Sequence, residues 1–278
     1  MGNIAYLNSK FIKFNQAKIH IEDRGLQFGD SVYEVVAVVN KNFLDFKFHL
    51  KRLKFSLNQL KIKYKIDDNY LLEVFQKLVD KNLVINGIIY LQITRGIQTR
   101  EHAYKKNIKP TVIIYTQKKL FNFPNKIFKG VNVITHEDLR WARRDIKTTN
   151  LLPNILAEVE AKKRNAYTAI LIKNNKVTEA SHANIWIIKN NKILTHPSNT
   201  DILKGVTRTS LKLIIKKLKL ILSENSFTKK QLLEADEVFL TSSSSFVTPV
   251  IKIDSKLING GKIGHITKLL ADAYYKTC

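Results

Sequence analysis

Short runs of apolar, β-branched residues recur along the chain and limit its fold more than any other feature. "VYEVVAVVNKNFLDFKF" (residues 32–48), "GIIYLQITRG", "PTVIIYTQ", "GVNVITHE", "YTAILIKNNKVTEASHANIWIIKNNKILTH" and "EVFLTSSSSFVTPVIKI" read as strands buried on at least one side. The first of these predicts a hairpin around Asn40–Asn42. Helical spacing occurs between them. "HLKRLKFSLNQLKI" places Leu50, Leu53, Leu57 and Leu60 on one stripe, Tyr70 to Val79 reads as a second helix, and further helices are expected at 151–165, 206–219 and 264–276. In "LKLIIKKLKL" the apolar Leu211, Ile214, Ile215 and Leu218 oppose lysines, as in a helix packed on a core. Strands alternating irregularly with helices imply layered α+β or α/β domains. "KKLFNFPN" has no period and contains a proline. It predicts a linker at 118–125 between a small N-terminal α/β domain, 1–117, and a larger C-terminal domain, 126–278.

The 47 Lys and Arg against 23 Asp and Glu give a formal charge of +24. Such a charge first suggests a nucleic-acid partner, because clustered cations release counterions from phosphates. Here only 9 of the 47 are arginines, and the 38 lysines are spread over the whole length without a basic tail. The charge therefore reads as a solvated lysine background, and no nucleic-acid partner is expected. The scarce arginines are instead expected where a planar, bidentate fork is required.

Cys278 is the single cysteine, which rules out an intrachain disulfide and a Cys-based zinc or iron–sulfur site. No stretch of about 18 apolar residues and no export signal is seen, so a cytoplasmic protein without a membrane span is expected. The 7 histidines are dispersed, and no metal site is expected. Phosphate-loop, nucleophile-elbow and zinc-protease motifs are absent, and Gly260, Gly261 and Gly264 read as a turn before the last helix.

Three segments stand apart. "EDRGLQFGDSVYEVV" (22–36) reads as a β-turn entering a strand. In "RRDIKTTNLLPNILAEVEA" (143–161), Lys147 lies in a loop before an apolar helix with Asn150 as a possible N-cap. In "VTEASHANIWII" (177–188), Glu179 falls between apolar strand residues and is followed by small ones, which would let a flat ligand approach.

Together these blocks resemble the fold-type-IV pyridoxal-phosphate enzymes, the class IV aminotransferases, and most closely their D-amino acid branch. The resemblance runs from "EDRGLQFGDSVYEV" through "IYLQITRGIQTREH", "DIKTTNLL", "VTEASHANIW", "ILKGVTR" and "FLTSSSSFVTPV" to "GKIGHITKLL", in the family's order. It implies a two-domain transaminase with pyridoxal 5'-phosphate held between the domains. By position, Lys147 would carry the cofactor as a Schiff base and shuttle a proton. Glu179 would face the pyridinium nitrogen, and Leu203 would pack on the ring. Arg52, Val206, Thr207 and Ser243 would hold the phosphate, with a helix N-terminus contributing free N–H groups. Tyr33, Arg100 and His102 would grip the substrate carboxylate, and Tyr90 would line the pocket.

The implied activity moves the amino group of a D-amino acid, such as D-alanine or D-glutamate, to 2-oxoglutarate or pyruvate by a ping-pong mechanism. The implied assembly is a homodimer sharing its active sites. Branched-chain L-amino acid or R-selective amine transaminases and aminodeoxychorismate lyases are the alternatives within the fold. His182 departs from the serine common at its position.

Overall fold

A computed structural model gives the fold and describes residues 3–121 and 129–278. The chain divides into two units. The first holds the described residues up to Phe121 together with Ile146–Asn150, and the second those up to Asp145 together with Leu151–Cys278. Of the expected linker, Lys118 is strand, and residues 122–125 lie outside the described ones. Among the described residues no helix is long and apolar enough to cross a membrane.

The first unit contains β1 (Ile4–Leu7), β2 (Lys10–Lys13), α1 (Arg24–Phe28), β3 (Ser31–Val39), β4 (Asn42–Phe43), α2 (Phe46–Gln59), α3 (Asp68–Lys81), β5 (Gly87–Thr94) and β6 (Thr111–Lys118). Its strands form one antiparallel sheet ordered β2-β1-β6-β5-β3-β4. Side chains alternate along β3. Val32, Val36 and Val38 join Leu50, Leu53 and Leu57 of α2 and Val74, Phe75 and Leu78 of α3 in one core. Each such burial contributes roughly 1.5–3 kcal/mol. The opposite face carries Ser31, Tyr33 and Val35, beside Gln92, Tyr90 and Tyr115 in register.

Two local expectations change here. The second strand of the first hairpin ends at Phe43, because Phe46 already begins α2. The helix places Phe46, Leu50, Leu53 and Leu57 against the core, which an extended chain of that sequence could not do. The segment expected to be a β-turn contains a one-turn helix, α1. Its N-cap Asp23 accepts from Gly25 N–H at 2.8 Å, and Gly29 ends it at φ 64°, in the left-handed region that suits glycine.

Ile146–Asn150 folds with the first unit for a backbone reason. Within β3, β4 pairs only with Val38 and Val39, leaving the early part of that edge without a strand neighbour among the described residues. There Tyr33 N–H donates to the Lys147 carbonyl at 3.0 Å, and Val32 bridges Thr148. Asn150 does not cap the following helix, whose N-cap is Leu151 without a side-chain bond. Asn150 instead packs on Gly29, where an added Cβ would stand 2.3 Å from its Oδ1.

The second unit contains β7 (Val131–Glu137), α4 (Leu152–Lys163), β8 (Ala169–Lys173), β9 (Lys176–Ala180), β10 (Asn184–Lys189), β11 (Lys192–Thr195), α5 (Val206–Lys217), β12 (Ile221–Glu224), α6 (Lys229–Leu233), β13 (Glu237–Ser242), β14 (Phe246–Ile253), β15 (Lys256–Leu257) and α7 (His265–Tyr275). Its sheet runs β12-β11-β10-β13-β14-β7-β8-β9, with β15 on β14. The β14–β7, β7–β8 and β11–β12 pairs are parallel. Ile185, Ile187, Val238, Leu240 and Val250 lie in its core.

Two-residue turns at Asn8–Ser9, Asn40–Lys41, Asn174–Asn175 and Asn190–Asn191 all have positive φ at both positions. This is the turn whose twist matches that of the flanking strands, and asparagine tolerates it well.

Candidate active site

Lys147 is half-buried on a backbone held from both sides. Its N–H donates to Ser56 Oγ of α2 at 3.2 Å, and its carbonyl accepts from Tyr33. Its Nζ lies 4.1 Å from the Tyr33 ring centroid, where the π face attracts an ammonium. Tyr33 stacks on Tyr90 with ring centroids 5.8 Å apart, and Tyr90 packs on Tyr115 at 5.0 Å. Burial raises the Tyr90 pKa, and Tyr115 and Tyr33 add to the effect, so the phenol stays protonated.

Beneath the same strand, Glu34 is a buried carboxylate in an otherwise apolar run. Arg52 grips it bidentately, Nε to Oε1 at 2.8 Å and Nη2 to Oε2 at 2.7 Å, and His49 Nδ1 lies 2.6 Å from Oε2. Burial works to raise the Glu34 pKa, yet Arg52 and His49 hold it at about 2. Burial lowers that of His49. Glu34 thus fixes the plane of the Arg52 fork. An inward-pointing glutamate among valines was the signal for this pair, since a buried charge requires a partner.

Arg100 and His102 are exposed. Their segment bends instead of running extended, yet both side chains reach Phe28, with the Arg100 guanidinium 4.7 Å and the His102 ring 5.6 Å from its centroid. The loop hangs from Arg24, whose Nη1 and Nη2 donate to the carbonyls of Glu101 (2.6 Å) and His102 (3.0 Å) while Nε pairs with Asp30.

In the second unit, Glu179 is buried near the end of β9. It accepts from Arg140 Nη1, from Asn184 Nδ2 at 2.9 Å, and from the Leu203 N–H at 3.1 and 3.2 Å. Asn184 also donates to the Leu203 carbonyl at 2.8 Å. Burial lifts the Glu179 carboxyl above the ordinary range while Arg140 pulls against it. Asp138 steadies Arg140 through two further contacts at 2.9 and 2.8 Å. Arg140 and Asn184 were missed by sequence reasoning, although the scarcity of arginine pointed to the first and "EASHAN" contains the second.

Val206 and Thr207 open α5, whose N-cap Gly205 offers no side-chain bond. The buried Thr207 Oγ1 has no hydrogen-bond partner among the described residues, and neither has Ser242 Oγ, one residue before Ser243. Ser243–Ser245 form the turn between β13 and β14. A helix N-terminus with an unpartnered buried hydroxyl suits a phosphate dianion. His182 lies 2.8 Å from Glu158, which also accepts from Ser181 and Thr168.

A family profile for amino-transferase class IV matches residues 31–253. A D-alanine aminotransferase of Staphylococcus aureus (strain MSSA476) is 40% identical over 273 residues, which cover 98% of this chain and 96% of that protein. A branched-chain amino acid aminotransferase of Escherichia coli superposes with a TM-score of 0.93 at 21% identity, covering 99% of this chain and 94% of its own, a likeness of fold. The T.th. branched-chain amino acid aminotransferase with pyridoxamine 5'-phosphate has a TM-score of 0.90 at 25% identity, with 99% and 94% covered.

Proposed function

The chain belongs to the class IV aminotransferases, and on that premise we propose that it transfers the amino group of a D-amino acid, D-alanine and D-glutamate among them, to a 2-oxo acid such as 2-oxoglutarate or pyruvate. The family is pyridoxal-phosphate-dependent, and the chain has the fold-type-IV architecture expected from its sequence. The observation that carries the reading is Lys147, a primary amine on a backbone fixed by Ser56 and Tyr33, in a chain 40% identical to a D-alanine aminotransferase.

The residues present fit the cofactor: Thr207 supplies a buried hydroxyl with no partner among the described residues, and Glu179 is a buried carboxylate already oriented by three donor groups. When bound, pyridoxal phosphate supplies a carbonyl that condenses with amines and a ring that draws electrons from the substrate α-carbon. Lys147 would hold the cofactor through Nζ and would carry the proton taken from and returned to the substrate α-carbon. Glu179 would keep the ring nitrogen protonated, and Leu203, tied to Glu179 through its N–H, would pack on the ring. Arg52, with its plane fixed by Glu34, serves the phosphate together with Val206, Thr207 and Ser243. Tyr33, Arg100 and His102 orient the substrate carboxylate, and Tyr90 faces the rest of the substrate.

The enzyme works as a homodimer, supported by the exposed apolar stripe Leu152, Ile155, Leu156 and Val159 along α4, which a second copy would cover. It is a cytoplasmic enzyme, a reading supported by its lone cysteine. Two experiments test the assignment. Borohydride reduction followed by peptide mapping is expected to label Lys147. An amino-donor screen of matched D- and L-amino acids is expected to show turnover of D-alanine and D-glutamate; turnover confined to L-branched-chain donors overturns the reading.

A further inference from the structure

The turn that carries Ser243 closes on an unfavourable backbone shape. Ser242 pairs with Phe246 across β13 and β14, so Ser243–Ser245 form a three-residue loop. Loops of this length end on a residue in the left-handed region, a place that suits glycine. Here Phe246 takes it, at φ 56°. Among the described non-glycine residues with positive φ, Phe246 alone is buried. A bulky side chain persists in that conformation only where its surroundings over-determine it.

The surroundings do so from two sides. The Phe246 ring packs on Tyr274 and Tyr275 at the C-terminal end of α7, with centroids 6.0 and 5.7 Å away. The first turn of α7 is fixed to the opposite end of the same hairpin, where Glu237 Oε1 accepts from the Ile266 N–H at 3.0 Å and Oε2 from the Thr267 N–H at 2.7 Å. The 11 residues of α7 rise about 16 Å, close to the roughly 17 Å from Glu237 to Ser242 along β13. The helix thus braces the hairpin from base to tip. On the other side, Ser245 Oγ lies 2.6 Å from the Tyr167 hydroxyl, and the Ser245 carbonyl accepts from the Thr248 hydroxyl at 2.9 Å. The serines have no apolar side chains to pack, so these ties are what hold the turn.

Resting on the reading that Ser243 serves the cofactor phosphate, we infer that Phe246 and Tyr167 are positioning residues of that subsite: they keep the serine turn in the shape that presents its donors, and the C-terminal helix is thereby part of the cofactor cradle. A phosphate dianion only accepts hydrogen bonds, and donors fixed beforehand bind it more tightly than donors that must be ordered on binding. Both residues act through the turn and not on the ligand.

The test titrates the full-length apoenzyme with pyridoxal 5'-phosphate and with pyridoxal, which keeps the ring and the aldehyde but lacks the phosphate. Phe246→Gly cuts the tie to α7 while placing a residue at ease with this φ, and Tyr167→Phe keeps the ring and deletes the bond to Ser245. Each is expected to raise the Kd of pyridoxal 5'-phosphate about 5- to 10-fold and to leave that of pyridoxal unchanged. Tyr167 is half-buried, so its variant carries the test even where glycine at 246 unsettles the hairpin. A general loss of packing would weaken both ligands together, and a Kd ratio unmoved in both variants overturns the inference. Ser243→Ala separates the two readings. If it lowers the preference for the phosphorylated ligand while the other two variants do not, the positioning role falls and the phosphate assignment stands; if it leaves the preference unmoved, the assignment falls and this inference with it.

Discussion

Replacing Thr207 by valine removes one hydroxyl while keeping the branched shape, and it is expected to move apoenzyme stability and cofactor affinity in opposite directions. Thr207 Oγ1 is buried without a hydrogen-bond partner among the described residues. Such a group costs about 1–3 kcal/mol, and valine relieves part of that cost without opening a cavity. A gain of about 1 kcal/mol in apoenzyme stability corresponds to about 2–4 °C in Tm for a unit of this size. With pyridoxal phosphate bound, the same hydroxyl donates to a dianion, a bond worth about 1.5–3 kcal/mol, and losing it raises the cofactor Kd about 10- to 100-fold. Thermal unfolding of apo and holo forms, with a fluorescence titration of the cofactor, reads both changes. The opposite signs matter, because a residue that merely packs the helix would lower stability and leave affinity alone. A less stable Thr207→Val apoenzyme, or an unchanged Kd, refutes the assignment of this hydroxyl to the phosphate.

Lys147→Ala is expected to abolish transamination, at least about a thousandfold in kcat, while circular dichroism stays native, since the backbone makes the local bonds. Glu34→Gln leaves Arg52 and His49 without their buried carboxylate and is expected to destabilise the fold by about 3–5 kcal/mol, read by urea unfolding. The wild type adds a pH signature. The Glu34 pKa falls from 4.5 to about 2 on folding, so the stability it contributes is complete above pH 4.5 and is lost as pH falls toward 2. The acid limb of the unfolding curve should therefore flatten in Glu34→Gln. Gly205→Ala would bring a Cβ to 2.1 Å from Asn184 Oδ1; displacing Asn184 from Glu179 is expected to lower kcat about tenfold while the KM for amino donor changes less, checked by steady-state kinetics.

The strands, the longer helices and the order of the motifs were legible in the sequence, because apolar period and turn chemistry are local properties. Leu50, Leu53 and Leu57 occupy the buried stripe that their spacing required. The affiliation of Ile146–Asn150 was not legible, since no period in "IKTTN" marks a segment that completes the edge of a strand more than a hundred residues earlier. The short helix at Arg24–Phe28 was hidden because Asp23 and Gly29 suit a turn as well as a capped helical turn. Around Glu179, the sequence displayed the carboxylate but not Arg140, which reaches it from a separate part of the chain. Arg52 was visible as a scarce fork, whereas its union with Glu34 depends on the pleat of β3 and its packing against α2.

The seat of Lys147 also bears on solubility. An uncovered strand edge presents unpaired N–H and C=O groups that recruit other chains, and β4 covers only the far end of β3. The five residues that carry the amine guard the beginning of that edge, through Tyr33 N–H on the Lys147 carbonyl and the bridge from Val32 to Thr148. Because this guard is made by main chain, evolution can vary the lysine's aromatic surroundings and retune chemistry without making the sheet adhesive. Insertions or prolines between Ile146 and Asn150 carry a different burden: they would strip the strand of its cover and turn a catalytic lesion into an aggregating one.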